Sequence, residues 1–331
     1  MTHFLNYIYW APNEVLFHIG SFGVRWYGLC WLIGIVLAIF IVKKLYKEQN
    51  IKDELFDPLF IYCFIGILVG ARLGHCLFYE PEVWLSSWQR VLQIFIPIHI
   101  FPDGSWKYTG YTGLASHGGT IGLMIALWLY CRKTGVKLWT VLDNIAIATP
   151  ITACFIRLGN LMNSEIVGKV TDVPWAFIFA NGDPAFAHEP RHPGQLYEAI
   201  AYFCFFFIGW AIYRIGVRRE GVRSKEAPSN LPKGETTKGS EGTKERGSEV
   251  TSTKKIFAPQ VGTGFFFGLC LTLIFTFRFF IEYTKEVQVD FESGMMFNMG
   301  QLLSVPFIIL GLVCMIRSLT PKPLSQGEGS R

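Results

Sequence analysis

The sequence predicts an all-α integral membrane protein with about seven transmembrane helices. Two observations carry this prediction. Hydrophobic residues make up 51% of the 331-residue chain and charged residues only 17%, against about 25% charged residues in typical soluble proteins. Several apolar runs also approach or exceed about 18 residues, the length that spans a bilayer core. The first residues show neither the basic region nor the small-residue cleavage site of a signal peptide, so we expect no cleaved leader.

Seven apolar runs give the positions of the predicted spans. They cover residues 24–42, 57–79, 113–131, 140–159, 197–214, 261–282 and 299–317. A shorter apolar stretch, IFIPIHIF at 94–101, lies between the second and third spans. It is too short to cross a bilayer, and tryptophans precede and follow it. We therefore expect an interfacial or re-entrant segment there.

Basic residues cluster after the odd-numbered spans. Lys43, Lys44 and Lys47 follow the first span, and Arg132 and Lys133 follow the third. Cytoplasmic loops of membrane proteins carry such an excess of lysine and arginine, so we predict that the N-terminus is outside and the C-terminus is cytoplasmic. The formal net charge of +5 reflects this topology, and we predict no nucleic-acid partner.

Two segments lack the apolar pattern. Residues 219–255 contain no aromatic residue and many Gly, Ser, Thr and charged residues, a composition that cannot bury enough apolar surface to fold. We predict a disordered cytoplasmic insert at 219–255 and a disordered tail at 319–331. The transmembrane catalytic domain then consists of residues 1–218, with helices 1–5, and residues 256–318, with helices 6–7.

Polar residues gather at the predicted outer ends of the spans. Each charge at a helix centre costs about 2.5–3.5 kcal/mol on the insertion scale, and pairing or a shared water-filled cavity offsets such a cost. We therefore predict a polar cavity that opens to the outer leaflet and is rich in cationic donors. The residues concerned are Arg25, Tyr27, Arg72, His75, His117, the stretch 157–165, the stretch 191–198, Arg278, Glu282, Gln301 and Ser304.

Structural alternatives stay open for several of these residues. Arg278 and Glu282, four residues apart, can form an intrahelical ion pair, and Arg25 and Arg72 can extend to lipid headgroups. A lone His117 would be structural more often than catalytic. Arginines and amides lie on the same predicted outer side of the membrane, and this favours a functional role for His117.

Glycines of the second and third predicted spans can serve helix packing. Gly66, Gly70 and Gly74 have the spacing of a helix-packing face. Gly118 and Gly122 share that spacing, so part of the HGG motif can serve packing as well.

The residue types of the cavity indicate its ligand. Arginine forks match phosphate geometry and asparagine amides add neutral donors, so an anionic lipid headgroup is the predicted ligand. The chain has no GxSxG, HExxH or Walker motif, and its eight cysteines lack metal-ligand spacing. We predict no metal and no other cofactor. A transfer reaction with lipid phosphate as leaving group and a lipid or anion transporter both remain open.

Five sequence blocks then carry a resemblance. They are HGGTIG (117–122), RLGNLMNSEIVG (157–168), RHPGQLYEA (191–199), RFFIE (278–282) and MGQLLSVP (299–306). In this order they resemble the bacterial phosphatidylglycerol–prolipoprotein diacylglyceryl transferases, which are integral inner-membrane enzymes. The resemblance runs from Arg25 to Pro306, except for the insert. It departs from the family pattern at Ile156, where glycine is usual, and at Ile274, where tyrosine is frequent.

The resemblance implies a reaction and its partners. Enzymes of this family transfer a diacylglyceryl group from phosphatidylglycerol to the lipobox cysteine of prolipoproteins, forming a thioether and releasing glycerol phosphate. This is the first step of lipoprotein maturation. The implied location is the bacterial inner membrane, with the active site facing the outer side. An anionic-lipid transporter or scramblase that uses the same cavity is the alternative.

The resemblance also implies site residues. His117 is the candidate general base, because an imidazole can accept a proton near neutral pH. Arg157 and Arg278 would bind and neutralise the phosphate, and Glu282 would orient an arginine or act as base. The implied substrate-binding residues are Tyr27, Gly118, Gly119, Asn160, Asn163, Glu165, Gly168, Gln195, Tyr197 and Gln301.

Overall fold

The computed structural model describes residues 7–20, 22–96, 98–101, 105–108, 113–226, 260–285 and 297–320. Helices dominate these residues. The α-helices are Trp26–Glu48 (α1), Phe56–Phe78 (α2), Pro81–Trp84 (α3), Trp88–Phe95 (α4), Ser116–Thr134 (α5), Leu138–Met162 (α6), Gly194–Glu226 (α7), Phe265–Ile281 (α8) and Met299–Leu319 (α9). The strands are Ile8–Trp10 (β1), Val15–Ile19 (β2), Phe22–Arg25 (β3), Ile98–Ile100 (β4), Trp106–Tyr108 (β5), Phe177–Phe179 (β6) and Pro190–Arg191 (β7).

Seven of these helices are long, and each coincides with one predicted span. Six helices in the described part of the chain are long and apolar enough to cross a membrane, by length and composition. The remaining long helix, α5, carries His117 in its first turn and Arg132 and Lys133 in its last, which lowers its mean hydropathy. The prediction of an all-α membrane protein is confirmed. The count of seven spans and their orientation stay predictions.

Glycines bring α2 and α5 into close antiparallel contact. A Cβ atom on Gly70 would lie 2.4 Å from the carbonyl oxygen of Gly118, and one on Gly122 would lie 2.0 Å from that of Gly66. Only glycine lets two helix backbones approach this closely. Gly118 and Gly122 therefore serve helix packing, as the alternative interpretation of the HGG motif predicted.

A small β-sheet covers one end of the helix bundle. Strands β1, β6 and β7 form it in the order β1–β6–β7, with β1 parallel to β6 and β6 antiparallel to β7. We call this sheet, with residues 163–193, the β cap. Its core contains Phe177 and Phe179, and the indole of Trp10 donates a hydrogen bond to the Leu161 carbonyl at 2.9 Å. The β cap therefore rests on the end of α6.

The segment between α2 and α5 contains α3, α4 and a hairpin of β4 and β5. Helix α4 is amphipathic, with Trp88 and Phe95 exposed and Ile94 buried, which suits the predicted interfacial segment. Arg72 anchors this segment, because its Nε donates to the Ile94 carbonyl at 3.2 Å and its guanidinium lies over the Trp84 ring. Arg72 is buried and has a structural role.

The predicted insert begins later than expected. Helix α7 continues to Glu226, so residues 219–226 are helical, which corrects the predicted boundary. Their composition explains the difference, because arginine, lysine and glutamate are good helix formers. The rest of the predicted insert, 227–255, and most of the predicted tail, 321–331, lie outside the described residues.

Candidate functional site

A buried cluster of charges lies beneath the β cap. The Nε of Arg157 is 2.6 Å from Oε2 of Glu198, and the Nζ of Lys285 is 2.9 Å from Oε1 of the same carboxylate. Lys285 also lies 3.4 Å from Oε2 of Glu282. The Glu198 side chain is fully buried, and Lys285 is 4% exposed. Isolated buried charges are costly, so the alternation of cations and carboxylates makes this cluster tolerable.

Three helices supply the cluster. Arg157 lies in the last two turns of α6, Glu198 in the second turn of α7, and Glu282 directly after α8. The chain then leaves α8 through one 3-10 turn, Glu282–Thr284, which brings Lys285 back over the cluster.

Two asparagines of the RLGNLMNSEIVG block (157–168) extend the cluster. The NH1 of Arg157 donates to Oδ1 of Asn160 at 3.2 Å, and Nδ2 of Asn160 donates to Oε1 of Glu165 at 2.7 Å. Asn163 donates to the same oxygen at 3.4 Å, and the Gln195 side chain donates to the Glu165 carbonyl. These bonds set the amide orientation of Asn160, with its oxygen toward Arg157 and its nitrogen toward Glu165.

Gly168 lies at a backbone junction. Its N–H donates to the His192 carbonyl at 2.9 Å, and the next residue, Lys169, donates to the Thr284 carbonyl at 2.7 Å. Gly168 also forms an isolated bridge with Lys285. A Cβ atom at Gly168 would lie 2.6 Å from Cβ of His192 and 2.7 Å from the Thr284 oxygen. This contact holds the backbone at Lys285 in place.

Arg278 differs from Arg157 in its partners. No carboxylate of the described residues lies within 4.0 Å of its guanidinium, so the alternative of an Arg278–Glu282 ion pair is wrong for this structure. Glu282 packs against the backbone of Gly300 instead. Tyr202 lies within electrostatic range of both Arg157 and Arg278. Arg278 is therefore near the cluster and carries a charge that no described carboxylate balances.

His117 does not join this cluster. Its side chain is exposed at the start of α5, and no hydrogen bond or ion pair links it to the residues that the structure describes. Gly119 lies beside it on the same helix, where a Cβ atom would meet Ala71 at an ordinary distance of 3.4 Å. An unengaged imidazole is free to contact a ligand.

Tyr27 and Tyr197 make their contacts outside the charged cluster. The ring of Tyr27 packs on Gly159, where a Cβ atom would be 2.9 Å away, and its hydroxyl accepts from Trp31 at 3.2 Å. The Tyr197 hydroxyl accepts from Trp175 at 2.8 Å and lies 3.1 Å from Nδ1 of His192. Burial lowers the pKa of His192, which favours the neutral ring and so a hydrogen bond from the Tyr197 hydroxyl to Nδ1.

Gln301 has a structural place. It forms a reciprocal capping box with Asn298 at the start of α9, and its Nε2 donates to the Phe279 carbonyl at 3.2 Å. Gln301 is 2% exposed. Its side chain therefore ties α9 to the end of α8, one residue from Arg278.

The predicted site residues include neither Glu198 nor Lys285, although the stretch 191–198 that was predicted to line the cavity ends at Glu198. Glu198 lies inside the RHPGQLYEA block, and Lys285 follows Glu282 by three residues. Both were detectable as ionisable residues near apolar spans, which are functional candidates by default. Within the described ranges, no group of three or more His, Cys, Asp or Glu side chains could hold a metal ion.

Comparisons with known proteins agree on one family. The model of the family described as prolipoprotein diacylglyceryl transferase matches residues 14–227 and 250–317. A phosphatidylglycerol–prolipoprotein diacylglyceryl transferase of Bacteroides fragilis is 49% identical over 316 residues, covering 95% of this chain and 96% of the relative. Relatives of the same name from Tolumonas auensis and Porphyromonas gingivalis are 37% and 36% identical, covering 95% and 97% of this chain and 99% and 97% of their own.

Proposed function

Since the chain belongs to the prolipoprotein diacylglyceryl transferase family and is a membrane transferase, we propose that it moves the diacylglyceryl group of phosphatidylglycerol onto the lipobox cysteine of prolipoproteins. The thiol sulfur forms a bond to the glyceryl carbon that carried the phosphate. The carbon–oxygen bond to the phosphate breaks, and glycerol phosphate leaves with the bonding electrons. The thiol proton passes to a base.

The observation that carries this proposal is the charge balance around Arg157. Arg157 and Lys285 bind the buried carboxylates of Glu198 and Glu282, whereas Arg278 lies within 4.0 Å of no described carboxylate. The guanidinium of Arg278 therefore offers a positive charge that is not paired with a described carboxylate, which suits the single negative charge of a phosphodiester. Arginine donors in a site shielded from water stabilise the charge that grows on a departing phosphate.

Each residue then has a proposed role. Arg157 and Arg278 bind the headgroup phosphate, and Glu198 orients Arg157. Glu282 holds Lys285 in place. Asn160 and Asn163 donate to headgroup oxygens. His117, exposed and unengaged among the described residues, takes the thiol proton.

The helix directions support an outward-facing site. Basic residues lie in the last turns of α1, α5 and α9, namely Lys47, Arg132, Lys133 and Arg317. In the antiparallel bundle these turns lie at the end away from the β cap. The basic end of a membrane protein faces the cytoplasm, so we propose that the β cap and the charged cluster face the outer side of the inner membrane.

The transporter alternative has less support. The relatives compared above are all named as transferases, and the charged groups lie near one end of the bundle. Transporter sites usually lie near the midplane between repeated halves of the fold.

The test uses purified protein in detergent, phosphatidylglycerol, a synthetic lipobox peptide and mass spectrometry. We expect the peptide cysteine to gain the mass of one diacylglyceryl group. Arg157→Ala should abolish this gain. Arg25→Ala is the matched control, because Arg25 is an exposed arginine that directly precedes α1 and pairs with Glu14 at 3.7 Å. An unmodified peptide beside folded, lipid-binding protein would favour transport.

A further inference from the structure

A carboxylate from α6 holds the first turn of α8. Asp143 is fully buried. Its Oδ2 accepts from the N–H groups of Gly262 and Gly264 at 2.8 and 2.9 Å, and its Oδ1 accepts from that of Phe267 at 2.9 Å. The first N–H groups of a helix have no partner within the helix. Asp143 therefore caps α8 from a neighbouring helix.

The two glycines that Asp143 binds leave no room for side chains. Gly262 and Gly264 adopt φ angles of +90° and +86°, a left-handed conformation that favours glycine. A Cβ atom on Gly264 would lie 2.8 Å from the Trp139 ring, and one on Gly262 would lie 2.9 Å from the Thr140 hydroxyl. The start of α8 therefore packs closely against the first turn of α6.

Helices α6 and α8 run parallel from this contact to the two arginines. Arg157 follows Asp143 by 14 residues, and Arg278 follows Gly264 by 14 residues. At 1.5 Å per residue, each arginine is about 21 Å along its helix from the contact. Cys154 and Ile274, which pack in one core cluster, keep nearly the same offset between the helices.

We infer that Asp143 is a positioning residue that sets the depth of Arg278 relative to Arg157; this rests on the proposed role of the two arginines. Apolar contacts between helices are non-directional and hold an axial offset weakly. Three hydrogen bonds to one carboxylate are directional and hold it firmly. A slip of α8 by one residue would move Arg278 by about 1.5 Å and turn it by about 100°.

The test is the kinetics of diacylglyceryl transfer by Asp143→Asn and Asp143→Ala. Asparagine keeps one acceptor oxygen, and alanine keeps none. We expect kcat to fall between about tenfold and a hundredfold in Asp143→Ala, as for other small misplacements of reacting groups, and less in Asp143→Asn. The KM for phosphatidylglycerol should change less than kcat, because one arginine suffices to hold the headgroup whereas the departing phosphate needs both.

Asn144→Ala is the matched control. Asn144 is also fully buried, and its amide exchanges two hydrogen bonds with Gln49, directly after α1, at 2.6 and 3.0 Å. This variant removes buried hydrogen bonds without touching α8, so its kcat per folded molecule should stay near that of the unsubstituted chain. Equal kcat values for the Asp143 variants and Asn144→Ala would overturn the inference.

A second variant disturbs the same contact from α8. Gly264→Ala should lower kcat as Asp143→Ala does, because its φ angle and the Trp139 ring both resist a side chain. Unchanged kcat in folded Gly264→Ala would also count against the inference. An inactive unsubstituted chain would instead refute the proposed function, so the two failures are distinguishable.

Discussion

The Nε atom of Arg157 lies 2.6 Å from Oε2 of Glu198, whose side chain is fully buried. The other oxygen of this carboxylate binds Lys285 at 2.9 Å, and the NH1 of Arg157 donates to Asn160 at 3.2 Å. One carboxylate therefore sets the orientation of an arginine that we propose binds phosphate. The consequences of this arrangement can be measured.

Glu198→Gln should destabilise the protein and slow transfer. The substitution leaves Arg157 and Lys285 without their shared anion, and breaking a buried ion pair costs about 3–5 kcal/mol. Thermal unfolding in detergent measures the loss. The control is Glu14→Gln, because Glu14 is 44% exposed in its pair with Arg25 and such pairs contribute about 0–1 kcal/mol. Equal unfolding temperatures for the two variants would contradict this account.

Arg278→Ala should abolish most activity without unfolding the protein. No described carboxylate depends on Arg278, so its removal strands no buried anion. Loss of one donor to a developing charge typically costs about a hundredfold to a thousandfold in rate. Arg157→Ala should lose stability as well, because Glu198 loses a partner. Transfer rates and unfolding temperatures of both variants test this contrast, which a stable Arg157→Ala or an active Arg278→Ala would disprove.

His117→Gln should slow transfer while leaving lipid binding and stability intact. General-base catalysis contributes about 10²–10⁴-fold in rate, and the exposed His117 side chain has no bond to the described residues that could be lost. The measurements are the rate of peptide modification and the retention of phosphatidylglycerol. His188→Gln, at another exposed histidine, should behave as the unsubstituted chain does. Full activity in His117→Gln would remove this histidine as the base.

Gly168→Ala should impair transfer more than Gly194→Ala. A methyl group on Gly168 would lie 2.6 Å from His192 and 2.7 Å from the Thr284 carbonyl, so the backbone next to Lys285 must move. At Gly194 the nearest atom is 4.0 Å away, and helix propensity even favours alanine over glycine. Comparing the two transfer rates isolates the crowding. Equal rates would show that this backbone junction does not matter for the reaction.

The correct predictions from the sequence rest on patterns of residues that are close together along the chain. The apolar runs located all seven long helices, because hydrophobic length is a local property. The glycine spacing in α2 and α5 correctly offered helix packing as one interpretation. The RLGNLMNSEIVG block predicted that Arg157, Asn160 and Glu165 lie together, because these residues lie within three turns of one helix and its end.

Long-range contacts explain what was missed. The β cap depends on pairing between residues 8–10 and 177–179, which no local periodicity reveals. Lys285 meets Glu198 only because the chain turns back after α8. The α7 boundary was predicted too early because composition indicated disorder where helix propensity extended the span to Glu226.

The parallel pairing of β1 with β6 also orders the biogenesis of this protein. Ile8 leaves the ribosome first, but its partner Phe177 follows about 170 residues later, on the order of ten to thirty seconds at ordinary rates of synthesis. Lys285, which completes the charges around Glu198, is made later still. The N-terminal strand must therefore wait through the synthesis of four long helices, and a nascent chain that stops before Lys285 holds Glu198 with one cation missing. Quality-control proteases have a long interval in which to recognise such unfinished chains.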